Sequence, residues 1–286
     1  MRVIRGEGPL LGKFTENLSK RIRHTKINEG YCLVCGKFGR LSSEHVPPKC
    51  AINITKVEQR HITEMMGANA RKIKGVASPN GSKFRTVCQV CNNQHIGACD
   101  HEVGRVFTSL SEKVKGYFQY CDNPYTIVST GINSLPFCRA MIGHILAATT
   151  VDECRREPKQ TQYFTPLQEF VLGDDLAIGE THDIYYWFYP YTRHLSAKFT
   201  HLIYKGHHVS MSLLSFFPLA FLVVEKGQGV YPGHAQKLSF DDSNIHIDLS
   251  ARWFEFAEFP FHELKENQML AVSDQMAIAS YPIGQS

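Results

Sequence analysis

The 286-residue sequence has no apolar run long enough to cross a bilayer as a helix, which takes about 20 residues. Its most apolar stretch, residues 209–224, contains three serines and is interrupted by Pro218, so it predicts buried β-strands. The first 24 residues lack the apolar segment and the small-residue cleavage site of a secretory signal. We therefore expect a cytoplasmic protein without a membrane partner. No internal repeat or low-complexity tract is visible.

The composition is that of a globular protein, with 43% hydrophobic and 20% charged residues. The formal net charge of +4 conceals an uneven distribution. Residues 1–91 carry 17 Lys and Arg against 6 Asp and Glu, whereas residues 92–286 carry 14 against 21. A basic part followed by an acidic part suggests a segment that binds a polyanion on a body with another role. The alternative is chance clustering of charge on a solvated face.

Four of the nine cysteines form two CxxC pairs, Cys32 with Cys35 and Cys88 with Cys91. A CxxC turn lets both sulfur atoms reach one ion, and two such turns complete a tetrahedral four-thiolate zinc site. Gly36 suits the tight turn that follows the first pair. Zinc held in this way contributes folding energy rather than chemistry, because no coordination position stays open. The alternative is that the four thiols are ordinary buried cysteines.

Between the CxxC pairs lies the stretch SSEHVPPKC, with Glu44 next to His45. We expect residues 37–48 to form a hairpin that leaves the first CxxC turn, with this pair on its second strand. Asn92, directly after the second CxxC, is expected to open a helix. A zinc ion would then hold the hairpin against the helix and bring Glu44, His45 and Asn92 together. The alternatives are a surface Glu-His pair on a loop and an asparagine that only caps the helix.

Residues 29–104 resemble an HNH endonuclease of the zinc-knuckle kind. The shared pattern is a CxxC, an acidic residue followed by His45 and the nearby Pro48, and a second CxxC followed by Asn92. The resemblance implies a ββα-metal fold in which His45 is the general base that deprotonates water. It implies that Glu44 and Asn92 bind a catalytic Mg²⁺ or Mn²⁺ ion beside the structural zinc. Further ligands or phosphate contacts are expected from Asn93, His95, Asp100 and His101.

The sequence departs from the family pattern at two places. Many members have aspartate where this chain has Glu44. The asparagine that precedes the second CxxC in relatives has no clear counterpart here, where the nearest positions are Lys83, Arg85 and Thr86.

The function implied by the resemblance is hydrolysis of phosphodiester bonds in DNA, in host defence or in the biology of mobile elements. A basic insertion over residues 51–87 is expected to contact DNA phosphates. The expected DNA contacts are Arg71, Lys72, Lys74, Lys83 and Arg85. The alternative function is that of a non-catalytic, zinc-stabilised protein that binds nucleic acid.

The sequence predicts three parts: a basic segment over residues 1–28, the nuclease domain over 29–118 and a second α+β domain over 119–286. Runs of aromatic and β-branched residues in the second domain predict an antiparallel sheet. They lie at residues 183–191, 195–205, 210–217, 219–226 and 245–256. Helical spacing is found over residues 104–120 and 134–156. The role expected for the second domain is regulation, dimerisation or target recognition, through a homo-oligomer or a regulatory protein partner.

Overall fold

The computed structural model describes residues 27–53, 55–61, 75–120, 125–204, 207–261, 269–272 and 277–283. Within these ranges the chain has the predicted α+β class, and its named strands pair in antiparallel fashion. The strands are β1 Glu29–Tyr31, β2 Phe38–His45, β3 Val57–His61, β4 Val76–Ser78, β5 Lys83–Cys88, β6 Ile127–Gly131, β7 His182–Phe188, β8 His194–Tyr204, β9 His207–Phe216, β10 Leu219–Glu225, β11 Gln236–Leu238, β12 Asn244–Asp248, β13 Met269–Val272 and β14 Ala277–Pro282.

The helices are α1 Gly97–Tyr120, α2 Ser134–Ala147 and α3 Phe164–Leu172, with a π-helical turn at Cys91–Ile96 and 3-10 helices at Val151–Arg155 and Ala251–Phe256. The helix predicted over residues 134–156 is therefore divided, because it ends at Ala147. The strand predicted over 245–256 covers only β12, and its second half is a 3-10 helix. None of the helices in the described ranges has the length and apolar character needed to cross a membrane.

The small sheet has the strand order β1-β2-β5 and contains the Glu44-His45 pair. The central strand β2 is continuous, so the hairpin predicted over residues 37–48 is wrong. The hairpin instead joins β1 to β2 around the first CxxC turn, and β5 pairs with the other edge of β2. A bulge between Ser42 and Glu44 shifts the register just before the pair. Such a bulge redirects the side chains that follow it.

Nine of the described strands form the large sheet, in the order β11-β7-β10-β9-β8-β14-β3-β4, with β13 pairing with β8. The apolar stretch over residues 209–224 supplies two of its central strands, β9 and β10, which confirms the prediction of buried strands. Along β10, Phe221 and Val223 enter one hydrophobic cluster, whereas Leu222 and Val224 enter the cluster on the opposite face. Burial on both faces explains why this strand is apolar almost throughout.

The described parts of the insertion over residues 51–87 include the strands β3 and β4 and most of β5. β3 pairs with β14 and β4 pairs with β3, so the insertion extends the large sheet at one end. A buried hydrogen bond of 2.7 Å joins the hydroxyl groups of Ser82 and Ser280. Residues 62–74 lie outside the described residues. The insertion therefore connects the small sheet to strands from the far end of the chain.

One hydrophobic cluster contains residues from both sides of the domain boundary predicted at residue 118. In that cluster, Phe107 of α1 stacks on Phe216 of β9 with ring centroids 4.1 Å apart, and Phe137 of α2 packs beside them. Aromatic pairs of this kind contribute about 0.5–1.5 kcal/mol beyond the area they bury. The helices thus join the small sheet to the large one through a common core, while the domain division itself stays a prediction.

Acid sensitivity is expected from His194, at the start of β8. Its Nδ1 is buried without a hydrogen-bond partner in the described ranges, and burial lowers its pKa to about 4. The unfolded chain, with a histidine pKa near 6.5, therefore binds the proton first as the pH falls below that value. Between pH 7 and 4.5, we expect the wild-type protein to lose about 2–3 kcal/mol more of its unfolding free energy than His194→Gln, because glutamine cannot become charged. Urea unfolding at both pH values measures this, and equal losses in the two proteins would contradict it.

Candidate functional site

The two CxxC turns bring their four sulfur atoms together, as predicted. The sulfur atoms of Cys32, Cys35, Cys88 and Cys91 all lie within 4.8 Å of one another, and those of Cys35 and Cys88 are 3.8 Å apart. The four side chains could therefore hold a metal ion. The first turn is closed by a hydrogen bond from the Gly36 amide to the Cys32 carbonyl at 2.9 Å, with a left-handed φ of 70° at Gly36.

The surroundings of the cysteine cluster favour a cation at its centre. The amides of Cys88 and Cys91 point at the sulfur atoms of Cys32 and Cys88, at 3.3 and 3.5 Å. A hydrogen bond with the Cys91 thiol lowers the pKa of Cys32 to about 5, and the same contact raises the pKa of Cys91. Burial raises the pKa of Cys35 to about 11. Four thiolates cannot ionise side by side unless a cation offsets their charge.

Glu44 lies at the end of β2 and faces two residues from different helices. Asp100 is in the first turn of α1, and His144 is in the last turn of α2. The His144 Nε2 atom is 2.8 Å from Asp100 Oδ1, and its Nδ1 atom is 3.5 Å from Glu44 Oε1. One ligand atom from each of the three residues lies within 4.8 Å of the other two, so this group could also hold a metal ion.

The Glu44 cluster combines buried and partly exposed groups. Glu44 is 8% exposed and His144 is fully buried, whereas the Asp100 side chain is 26% exposed and leaves the cluster open on one side. Burial raises the pKa of Glu44, and the charge of Asp100 raises it further. Burial alone would lower the pKa of His144, but the hydrogen bond and charge of Asp100, together with Glu44, raise it. The two carboxylates thus favour a positive charge between them.

His45, the residue after Glu44, is 9% exposed and has a different set of neighbours. Its ring makes a hydrogen bond with the backbone of Asn80, and because this contact raises the pKa, the Asn80 carbonyl is the acceptor. Burial and the nearby charges of Lys49 and Lys83 outweigh that bond and lower the pKa of His45 to about 4. The ring is therefore neutral at pH 7 and has one nitrogen that can accept a proton.

Asn92 is connected to the strand that carries the Glu44-His45 pair. Its side-chain nitrogen donates to Ser42 Oγ at 2.9 Å and to the Ser43 carbonyl at 3.4 Å. The π-helical turn begins at Cys91, with Val90 as its N-cap, so Asn92 lies in the first turn of the helical segment that it was predicted to open. The side chain therefore connects the π-helical turn to β2 and contacts the residue directly before Glu44.

The remaining predicted residues are more dispersed. Asn93 and His101 are exposed, His95 is half-buried, and His101 Nδ1 is 3.0 Å from the Ala98 carbonyl. Of the expected DNA contacts, Lys83 lies beside His45, and Arg85 donates through Nη1 to Asn28 Oδ1 at 2.9 Å. Arg71, Lys72 and Lys74 lie outside the described residues.

Two residues near this site were not predicted from the sequence. His144 occurs inside an apolar helical run and has no ligand spacing to any other residue. Lys49 follows the two prolines of SSEHVPPKC, and its position four residues after His45 was the only available signal. Both become visible only when the elements that carry them are packed together.

Comparison with family models, curated proteins and solved structures gave no match. The site is therefore interpreted from its own residues. It combines a four-cysteine cluster, a carboxylate–imidazole cluster and a neutral histidine beside two lysines.

Proposed function

We propose that this protein is a metal-dependent endonuclease of the HNH kind that hydrolyses phosphodiester bonds in DNA. The observation that supports it is the position of Glu44 and His45. They are adjacent at the end of β2, and the nearby π-helical turn Cys91–Ile96 connects the second CxxC turn to α1. Glu44 faces Asp100 and His144, while His45 faces Lys49 and Lys83. Metal-binding groups and a candidate general base are thus side by side.

We propose that the ion of the cysteine cluster is zinc. Zinc bound to thiolates at about 2.3 Å in a tetrahedron separates its sulfur ligands by about 3.8 Å, and Cys35 and Cys88 have this separation. In the proposed role this ion is structural. It holds the β1–β2 turn against the end of β5 and the π-helical turn, and so keeps the strand with His45 in register with the helix.

The proposed reaction uses His45 as the general base. The ring nitrogen that does not donate to the Asn80 carbonyl accepts a proton from a water molecule, whose oxygen forms a bond to the scissile phosphorus. The bond from phosphorus to the 3′-oxygen breaks, and that oxygen takes up a proton from solvent. The products are a 5′-phosphate and a 3′-hydroxyl. A Mg²⁺ or Mn²⁺ ion held by Glu44 and Asn92 would offset the negative charge on the phosphate and the leaving oxygen.

DNA would approach from the side where Lys49 and Lys83 flank His45. Phosphate groups there would be attracted by both ammonium groups, and such contacts make binding weaker as the salt concentration rises. The exposed edge of Asp100 lies on the neighbouring helix α1 and leaves the metal-binding groups accessible to solvent.

A plasmid-nicking assay tests the proposal. Purified full-length protein is incubated with supercoiled plasmid in Mn²⁺, in Mg²⁺ and in EDTA, and binding is measured in parallel by gel shift. We expect nicked circles with a divalent ion and none in EDTA. Binding that weakens with salt but produces no nicks with either ion would instead support the non-catalytic nucleic-acid-binding protein.

A further inference from the structure

The cluster formed by Glu44, Asp100 and His144 combines residues from three elements that are far apart in the sequence. Glu44 is on β2, Asp100 on α1 and His144 on α2. α2 belongs to the segment after residue 118, which is not part of the region that resembles the HNH family. The contribution of His144 is therefore independent of that resemblance.

One nitrogen of the buried His144 ring is unaccounted for. Nε2 lies 2.8 Å from Asp100 Oδ1, whereas Nδ1 is buried and makes no hydrogen bond with any residue that the structure describes. A buried polar atom without a partner costs about 1–3 kcal/mol. With Nε2–H donating to Asp100, the Nδ1 lone pair points towards Glu44 Oε1, 3.5 Å away. A metal ion between these two atoms would satisfy Nδ1, and it would share Glu44 Oε1 with the His45 amide, which donates to that oxygen at 3.0 Å.

The distances suit such an ion. Nitrogen and oxygen ligands at about 2.1 Å from an ion, separated by a tetrahedral angle, lie about 3.4 Å apart. Histidines that bind metals usually donate their other ring N–H to a carboxylate, which fixes the tautomer and the ring orientation. Asp100 is placed to do this for His144. The arrangement thus has both the ligand pair and the supporting carboxylate.

Packing holds α2 in the position that this requires. A Cβ atom at Gly143 would come within 2.6 Å of Ile96 Cγ1, so only glycine lets α2 approach the π-helical turn so closely. At the end of α2, the Ala147 carbonyl accepts a hydrogen bond of 2.6 Å from the hydroxyl group of Thr86 on β5. These two contacts, one before and one after His144 in the helix, fix the position of α2 and therefore of the His144 side chain.

We propose that His144 Nδ1 and Glu44 bind a divalent transition-metal ion of the Mn²⁺ or Zn²⁺ type, with Asp100 orienting the imidazole, so that the segment after residue 118 completes the metal centre. Imidazole ligands favour transition metals, whereas Mg²⁺ prefers oxygen ligands only. The site would thus select Mn²⁺ over Mg²⁺. The catalytic use of this ion rests on the proposed function, but its binding does not.

The test measures Mn²⁺ binding to full-length protein whose cysteine site is already loaded with zinc. Loss of the free Mn²⁺ EPR signal gives the stoichiometry and affinity, and pulsed EPR detects coupling to a ligand nitrogen. We expect one Mn²⁺ per chain, nitrogen coupling, and retention of the ion in a hundredfold excess of Mg²⁺. The absence of nitrogen coupling in the wild-type complex would overturn the proposal.

His144→Gln is the informative variant, because the glutamine amide can still donate to Asp100 but offers no ligand in place of Nδ1. We expect Mn²⁺ affinity to fall by about tenfold or more and the nitrogen coupling to disappear. His194→Gln makes the same change at another histidine whose Nδ1 is buried, and it should leave both unchanged. Wild-type affinity and coupling in His144→Gln would contradict the proposal. If His144→Gln fails to fold, as judged by circular dichroism and zinc content, the wild-type coupling and loss of binding in Glu44→Gln decide the question.

The outcomes separate this proposal from the proposed nuclease function. Mn²⁺ bound with nitrogen coupling by a protein that never nicks plasmid supports the metal site and contradicts the nuclease. Nicking that persists in a His144→Gln protein with unchanged Mn²⁺ binding supports the nuclease and contradicts the metal site.

Discussion

Replacement of His45 by alanine is expected to slow DNA cleavage by about 10²–10⁴-fold, the usual contribution of a general base. The residue contacts the Asn80 carbonyl through one ring nitrogen and lies beside Lys49 and Lys83. Alanine removes the proton acceptor but retains both lysines, so affinity for DNA should change by less than about threefold. Cleavage rates with enzyme in excess over a labelled duplex, together with gel shifts, measure the two quantities separately.

Two controls sharpen the His45 experiment. Added imidazole should restore part of the activity of His45→Ala, because it can enter the space left by the ring and accept the proton. His207→Ala removes an exposed histidine on β9, far along the chain from this strand, and should cleave at the wild-type rate. A His45→Ala protein that cleaves within about threefold of wild type would show that His45 is not the base.

Replacement of Cys35 by serine is expected to release the zinc ion and to lower the melting temperature by about 10–20 °C. Structural zinc contributes about 10–16 kcal/mol in small zinc-binding peptides, and loss of about 6–12 kcal/mol has this effect on a chain of this size. Cys35 is half-buried, so the smaller oxygen atom itself should disturb packing little. The remaining thiols would then be held close together without a cation to offset their charge.

Zinc content by mass spectrometry and thermal melts with and without chelator measure this effect. Cys99→Ser is the matched control, because Cys99 is also half-buried but lies outside the cysteine cluster, on α1. We expect it to retain one zinc per chain and a melting temperature within about 2 °C of wild type. Wild-type protein purified without zinc, or a Cys35→Ser protein as stable as wild type, would contradict a structural metal site.

The features that could be predicted from the sequence depend on neighbouring residues. A CxxC turn directs both of its sulfur atoms to one point through local backbone geometry alone. The two turns that begin at Cys32 and Cys88 therefore indicated the four-cysteine cluster without any knowledge of the packing. The apolar run over residues 209–224 likewise indicated buried strands, because a strand buried on both faces has few polar positions.

The features that could not be predicted depend on packing between distant segments. His144 lies in an apolar stretch of α2, and its position beside Glu44 depends on the close approach of Gly143 to Ile96 and on the hydrogen bond from Thr86 to the Ala147 carbonyl. Strand β3 of the insertion pairs with β14 at the far end of the chain, and β4 pairs with β3, so no local pattern marked these strands. The prediction of a hairpin over residues 37–48 was wrong for a related reason. A local turn was expected to supply a second strand, but the strand that pairs with this edge of β2 is β5, from a distant part of the sequence.

The most direct test of the account is cleavage of a DNA duplex in water enriched in ¹⁸O. Zinc-loaded wild-type protein is incubated with a labelled duplex and Mn²⁺, and the fragments are analysed by mass spectrometry, with His45→Ala prepared in parallel to exclude a contaminating nuclease. The account predicts fragments with one ¹⁸O atom on a 5′-phosphate and none on the 3′-hydroxyl, and a rate of fragment formation about 10²–10⁴-fold lower with His45→Ala. An intact duplex bound by folded, zinc-containing wild-type protein would contradict it.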